Sequence, residues 1–270
     1  MILVITGYAL ACAMGVTLGL IGAGGSILTV PILVYCLGVS PVEATAYSLL
    51  VVGATAAFGA CMYHRRGDID YRVGSIFAVP ALLGVYLTRR FLVPSIPDEI
   101  DFLSMVITKD TLIMGVFSLL VLAASILMIS SPTPPESDNS SEMLYAGKKL
   151  TLIGIEGIII GVLTGFVGAG GGFMIIPALV MLAGLPMKKA VGTSLLIIAI
   201  KSLLGFVGDL QTHIEIDWNL VPYFTVLTLV GMAAGFHFSQ YVSHSILKKV
   251  FGCLTLIVGV AVIIKELLGA

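Results

Sequence analysis

The chain has 270 residues, 58% of them hydrophobic and only 11% charged, against about 25% charged in an ordinary soluble domain. Its 14 basic and 15 acidic side chains leave a net charge of -1, too few to solvate a globule of this size and without a field to gather nucleic acid. This excludes a soluble enzyme, a nucleic-acid binder and a disordered regulator, and makes the lipid bilayer the medium of the chain.

The opening segment Met1–Gly7 has no basic residues ahead of its apolar run, so it reads as a retained helix rather than a secretory signal. Apolar runs then cover residues 3–37, 44–63, 73–92, 112–129, 150–183, 190–207, 220–238 and 247–267. A spanning helix takes about 20 such residues, within a range of roughly 17–25. Runs 3–37 and 150–183 are too long for one straight crossing. Each is broken by glycines, at Gly22-Ala-Gly-Gly-Ser26 and Gly168-Ala-Gly-Gly-Gly172, and each then carries a proline, Pro31 or Pro177. The four cysteines, Cys12, Cys36, Cys61 and Cys253, form no CxxC pair and read as small buried hydrophobes.

These breaks belong to an internal repeat. An offset of 146 carries Gly15, Gly19, Gly22, Pro31, Gly38 and Ser48-Leu-Leu50 onto Gly161, Gly165, Gly168, Pro177, Gly184 and Ser194-Leu-Leu196. With one further residue inserted, Ile69-Asp-Tyr71 falls on Ile216-Asp-Trp218 and Gly84 on Gly231. Two copies of one membrane fold are a hallmark of secondary transporters. The copies occupy residues 1–129 and 150–270, joined by a polar linker at 130–149 whose stretch Ser130–Ser141 has nothing apolar to bury.

Cytoplasmic loops carry an excess of Lys and Arg. If each long run folds back at its glycines, one side holds Arg65, Arg66, Arg72, Lys148, Lys149, Lys188, Lys189, Lys248 and Lys249, and the other only Arg89, Arg90, Lys109 and Lys265. That asymmetry favours folding back. The expected fold is therefore an all-α integral membrane protein of two inverted repeats, each beginning with a glycine-broken helix, in the cell inner membrane with both termini outside.

Irregular backbone at membrane depth survives only where protein or a water-filled cavity satisfies it. A helix starting after such a turn points unpaired N–H groups and a partial positive charge at it, which suits an anion. Gly22, Gly24, Gly25 and Ser26, with Gly168, Gly170, Gly171 and Gly172, are the candidate substrate backbone; close helix packing is the plainer alternative. Lys201 stands mid-run, where a charge costs at least about 2.5 kcal/mol. It either attracts an anion or pairs with Glu156, whose carboxylate is a candidate for proton coupling. Ser48, Thr193 and Ser194 offer hydroxyls to substrate or bond back to their own helices. Asp70 and Asp217 read as N-caps beside interfacial Tyr71 and Trp218. His64 and His213 read as solvated loop residues. No nucleophile–base pair, metal motif or P-loop is present in the sequence, so no catalytic residue, metal or cofactor is expected.

The paired segments GAGGSILTVP and GAGGGFMIIP, each leading to an SLL helix, and the second continuing to an I-D-W start, resemble the TauE/SafE family of sulfite exporters over nearly the whole chain. The first half departs from the second in having Ala46-Tyr-Ser48 where the second has Gly192-Thr-Ser194. The resemblance implies secondary transport of a small sulfur-containing anion such as sulfite or a sulfonate, coupled to protons or ions, in a homodimer. A permease for a cation or neutral solute, centred on Glu156, and a non-transporting membrane scaffold are the alternatives.

Overall fold

A computed structural model describes residues 2–22, 25–102, 105–130, 147–168, 170–181, 183–211, 216–241, 253 and 256–265. Gly24, His213, Lys248, Lys249 and residues 131–146 of the linker lie outside that set.

Helix α1 is Ile2–Ile21, and after the glycine break a short helix α2, Ser26–Pro31, runs on into a π-helical turn at Ile32–Cys36. The chain does fold back here. Gly25 lies against Met14, Leu18 and Thr17 of α1, Thr29 donates to the Met14 sulfur at 3.1 Å, and Leu37 reaches Gly7. Pro31 withdraws one backbone donor from the returning segment, and the looser π turn follows it directly.

Helix α3, Pro41–Arg66, has ends its sequence specifies. Ser40 caps it, accepting from the Glu43 amide and donating to Glu43 Oε2 at 2.8 Å, with proline in the first turn. Gly67, at φ 76°, closes it in the left-handed conformation that glycine adopts without steric cost. Asp70 then caps α4, Tyr71–Leu87, through the Val73 amide, and Asp217 Oδ1 accepts from Asn219 and Leu220 before α10, Leu220–Phe238. Asp70 is thus the N-cap the sequence predicts, whereas Asp217 accepts its amides from a position two residues ahead of Asn219, the N-cap of α10.

The helix of α4 continues through a second π turn, Thr88–Leu92, and a last turn α5, Val93–Ser95. An antiparallel hairpin follows, β1 Glu99–Phe102 and β2 Met105–Thr108, pairing Glu99 with Thr108 and Phe102 with Met105. This is a departure from the all-helical expectation, small beside the helices that dominate the chain. The remaining helices are α6 Lys109–Ser130, α7 Gly147–Val167, α8 Gly172–Met181, α9 Met187–Leu210 and α11 Leu256–Lys265. Helix α7 begins at Gly147, a few residues inside the predicted linker.

The two halves interlock. Helix α3 lies against α9 at the centre, with Leu49 near Gly205, Gly53 near Leu203 and Gly59 near Leu195, so the two run antiparallel. Helix α1 packs on α10 of the other half, and α7 on α4. Gly15 and Gly19 abut the Thr228 and Met232 backbone, as Gly161 and Gly165 abut Ala81 and Val85. The one-residue insertion seen in sequence reappears in these pairings.

Five helices are long and apolar enough to cross a membrane among the described residues. Large apolar side chains face outward on these and on α6 and α7, among them Leu83, Leu119, Ile155 and Val226. A surface this apolar is suited to lipid. Cys61 and Cys253 share that exposed face, and Cys12 and Cys36 are half-buried. The expectation of buried cysteines is corrected accordingly, because in lipid the outer face of a helix is as apolar as its inner one.

Candidate functional site

The two glycine turns are built alike. Gly22 has φ 77° and Gly168 φ 71°, with Gly170 and Gly171 also left-handed at 58° and 66°, conformations that side chains resist. Each turn is latched by a hydroxyl from the other half. Ser48 Oγ donates to the Gly168 carbonyl at 2.7 Å, and Ser194 Oγ to the Gly22 carbonyl at 3.1 Å, also reaching Val191 O. A second exchange lies beside it. The Asp70 amide donates to Thr193 Oγ1, and the Asp217 amide to Tyr47 Oη, both at 2.9 Å. Thr193 and Tyr47 are repeat mates.

Ser194 bonds back to its own helix at Val191 O, as one sequence reading has it, and the remaining bonds assign Ser48, Thr193 and Ser194 a structural task beyond those readings. Their oxygens hold the turns and loops of the opposite half in place.

The turns meet. A Cβ on Gly170 would stand 3.0 Å from Ser26 Cβ and 2.7 Å from Val52 in the middle of α3. From this point α2 and α8 lead away, with Gly25 and Gly172 at their starts. The turns thus touch at Ser26 and Gly170, while Gly22 lies against Val191 near the start of α9 and Gly168 against Thr45 near the start of the antiparallel α3; Gly22, Gly25, Ser26, Gly168, Gly170, Gly171 and Gly172 are all buried.

Lys201 joins them. Its side chain is 0% exposed, its Nζ donates to Thr164 Oγ1 at 2.7 Å, and that same Nζ is 3.1 Å from where a Cβ on Gly171 would be. The anticipated pair with Glu156 is not formed. Glu156 is half-buried on α7, about two turns before Thr164, and its buried Oε2 has no hydrogen-bond partner. Ser202 Oγ, next to Lys201, is likewise buried without a partner.

Sequence reasoning missed one charged group here. Arg89, counted with the loop cations, is 0% exposed on the π turn after α4. Its Nη1 donates to Thr45 Oγ1 at 3.0 Å and lies 3.5 Å from Asp209 Oδ1. Arg89 already lay inside the apolar run 73–92, and the helix continues past it to Ser95; that placement, with Asp209 close behind the run 190–207, was the available sign.

The basic residues divide as folding back requires. Arg65 and Arg66 end α3, Lys188 and Lys189 start α9, and Lys148 and Lys149 start α7. Tyr63 beside Gly192, and Phe77 beside Gly157, bring those helix ends to one end of the molecule. Lys109 sits at the other end with Ser40 and Glu43, and Lys265 lies over the Tyr35 ring at 4.0 Å.

A polytopic helical bundle with two broken helices meeting at a buried cation is the architecture of a membrane transporter. The chain belongs to the sulfite exporter TauE/SafE family, which it matches over residues 8–262. It is 30% identical over 254 residues to a "Probable membrane transporter protein" of Xylella fastidiosa (strain 9a5c), covering 93% of this chain and 91% of that one. It is 27% identical to the "Probable membrane transporter protein YunE" of Bacillus subtilis (strain 168), covering 74% and 75% of the two chains. A similar match, 25% identical over 92% of this chain and 86% of the other, is to "Probable membrane transporter protein MJ0441" of Methanocaldococcus jannaschii. No solved structure matches the chain at a significant level. The protein is thus a multi-pass membrane transporter and not an enzyme.

Proposed function

We propose that this transporter carries a small oxyanion, of the sulfite or organosulfonate class, by alternating access around the point where the two glycine turns meet. The observation that carries this reading is Lys201. Among the described residues no carboxylate pairs with it, so a fully buried lysine amine is left with one neutral hydroxyl as partner. Burying an unpaired cation is costly unless something neutralises it, and a bound anion does so. The starts of α2 and α8 add peptide N–H groups directed at the same place.

Antiparallel α3 and α9, which are repeat mates, support an inverted relation between the halves. The basic end of the bundle supports a cytoplasmic face there and both termini outside, in the cell inner membrane. Glu156 Oε2, buried and without a partner, is the group we assign to proton coupling. A homodimer in the bilayer completes the proposal.

The test is thermal stability of the purified protein against sulfite, sulfate, thiosulfate, sulfoacetate, acetate and chloride. Binding at a hundredfold excess over Kd stabilises the folded state by about 2.7 kcal/mol. A shift confined to sulfur oxyanions in the wild type, and lost in a folded Lys201→Ala variant, is the expected result. Wild-type binding and flux from Lys201→Ala would remove Lys201 from the site.

A further inference from the structure

The two halves match closely in packing, yet their buried charges do not match at all. At the position equivalent to Arg89 the other half has Phe236, at that of Asp209 it has Tyr63, and at that of Thr45 it has Val191. Phe236 and Tyr63 stack edge to face at 4.9 Å where Arg89 and Asp209 pair. Val191 lies against Gly22 as Thr45 lies against Gly168. Lys201 and Thr164 likewise replace Thr55 and Leu18. The fold therefore fills the Arg89–Asp209 position in its other half with an aromatic pair, and helix packing alone does not require charge there.

The charged version is also an incomplete ion pair. Nη1 takes Thr45 and Asp209, while Nε and Nη2 are buried with no hydrogen-bond partner. Leaving such donors unmet in a buried site is costly. Their shared edge is the side of a guanidinium that fits two oxygens of one oxyanion. Thr45, which holds Nη1, is packed directly on Gly168, and the other end of that turn, Gly171, touches Lys201. Both buried cations thus flank the second-half turn.

We propose that Arg89 is a second anion-binding group of the transport path, its Nε–Nη2 edge taking the oxygens of the oxyanion at the Gly168 end of the turn. This rests on the oxyanion-transporter reading above. Asp209 holds the guanidinium through Nη1 and keeps it neutralised while the site is empty. Arriving anion completes the set of acceptors, and through Thr45 its binding is felt at the turn beside Lys201.

The experiment titrates sulfite into purified full-length protein and follows heat and melting temperature. The double variant Arg89→Gln with Asp209→Asn removes both charges together and so leaves no orphan ion. It is expected to remain folded and to bind sulfite at least about tenfold more weakly, the loss of a charge-assisted hydrogen bond. Asp209→Asn alone keeps the guanidinium and removes a competing carboxylate, so it binds sulfite as tightly as wild type or more so. Arg89→Lys keeps charge but loses the two-pronged edge and is also expected to weaken binding. Wild-type affinity in the double variant, or in Arg89→Lys, overturns the proposal while leaving the transporter reading intact. A wild-type protein unmoved by sulfite, sulfate, thiosulfate and sulfoacetate overturns both.

Discussion

Ser48 and Ser194 are polar side chains in an apolar medium, so each hydroxyl must find its acceptor inside the protein. Each does so on a carbonyl of the other half's glycine turn. Ser48→Ala and Ser194→Ala remove the donor and leave a buried carbonyl short of a partner, at a cost of about 1–3 kcal/mol. Both should lower the melting temperature, Ser48→Ala the more because Ser194 divides its one hydrogen between Gly22 O at 3.1 Å and Val191 O at 2.8 Å, while the preference among anions stays as in wild type. A change in anion preference with no change in stability would return the hydroxyls to the substrate. The glycines divide in the same way. Gly38 has φ 72° and open space around it, so Gly38→Ala costs only backbone strain, about 1 kcal/mol. Gly171 shares the conformation, but a methyl there meets Thr164 and crowds Lys201 Nζ. Gly171→Ala should therefore lose anion-dependent stabilisation, which Gly38→Ala keeps; equal behaviour of the two would detach the turn from the site.

Helices find one another here by close backbone approach, since lipid provides little hydrophobic drive between them. Gly161 stands against the Ala81 carbonyl, and Gly15 against that of Thr228, leaving no room for a side chain. Gly161→Leu should part α7 from α4 and abolish the single symmetric peak in size-exclusion chromatography. Gly115→Leu, on α6 with nothing within 4 Å, should leave that peak unchanged. This layer was readable in the sequence, because glycines at helical spacing recur at a fixed offset and backbone contact permits little else. The fold-back was readable for a similar reason, as only a reversal at the glycines separates the basic residues. What could not be read was position within an element. Arg89 lies near the end of the apolar run 73–92 and counts there with the loop cations, until the π turn carries the helix onward. Which carboxylate a buried cation meets depends on helix rotation, so Lys201 found Thr164 instead of Glu156. The hairpin at Glu99–Thr108 has strands of four residues each, of which only Glu99–Phe102 alternates, and so leaves no trace in a search for apolar runs of spanning length.

At the scale of the whole molecule, the arrangement turns on the direction of the second half. Arg65 and Gln211 are repeat mates, each exposed just at the end of its central helix, α3 or α9. In parallel repeats these two positions emerge on the same face of the membrane. In inverted repeats they emerge on opposite faces. On the inverted reading proposed above, which the antiparallel pairing of α3 with α9 supports, the second outcome is expected. With Cys12, Cys36, Cys61 and Cys253 replaced by alanine, Arg65→Cys and Gln211→Cys are made one at a time and exposed to a membrane-impermeant maleimide. Gln211→Cys should react in intact cells, and Arg65→Cys only after permeabilisation, because Arg65 lies at the basic end. Labelling of both from one side would contradict inversion, and the opposite sidedness would reverse the orientation while keeping the inversion. Sidedness also orients the proposed path. The Arg89–Asp209 pair lies toward the end of α9 that Gln211 marks, and Lys201 about two turns deeper. On the anion reading proposed above, an anion entering from outside would meet Arg89 first and Lys201 second, and the opposite sidedness would place Arg89 toward the cytoplasm.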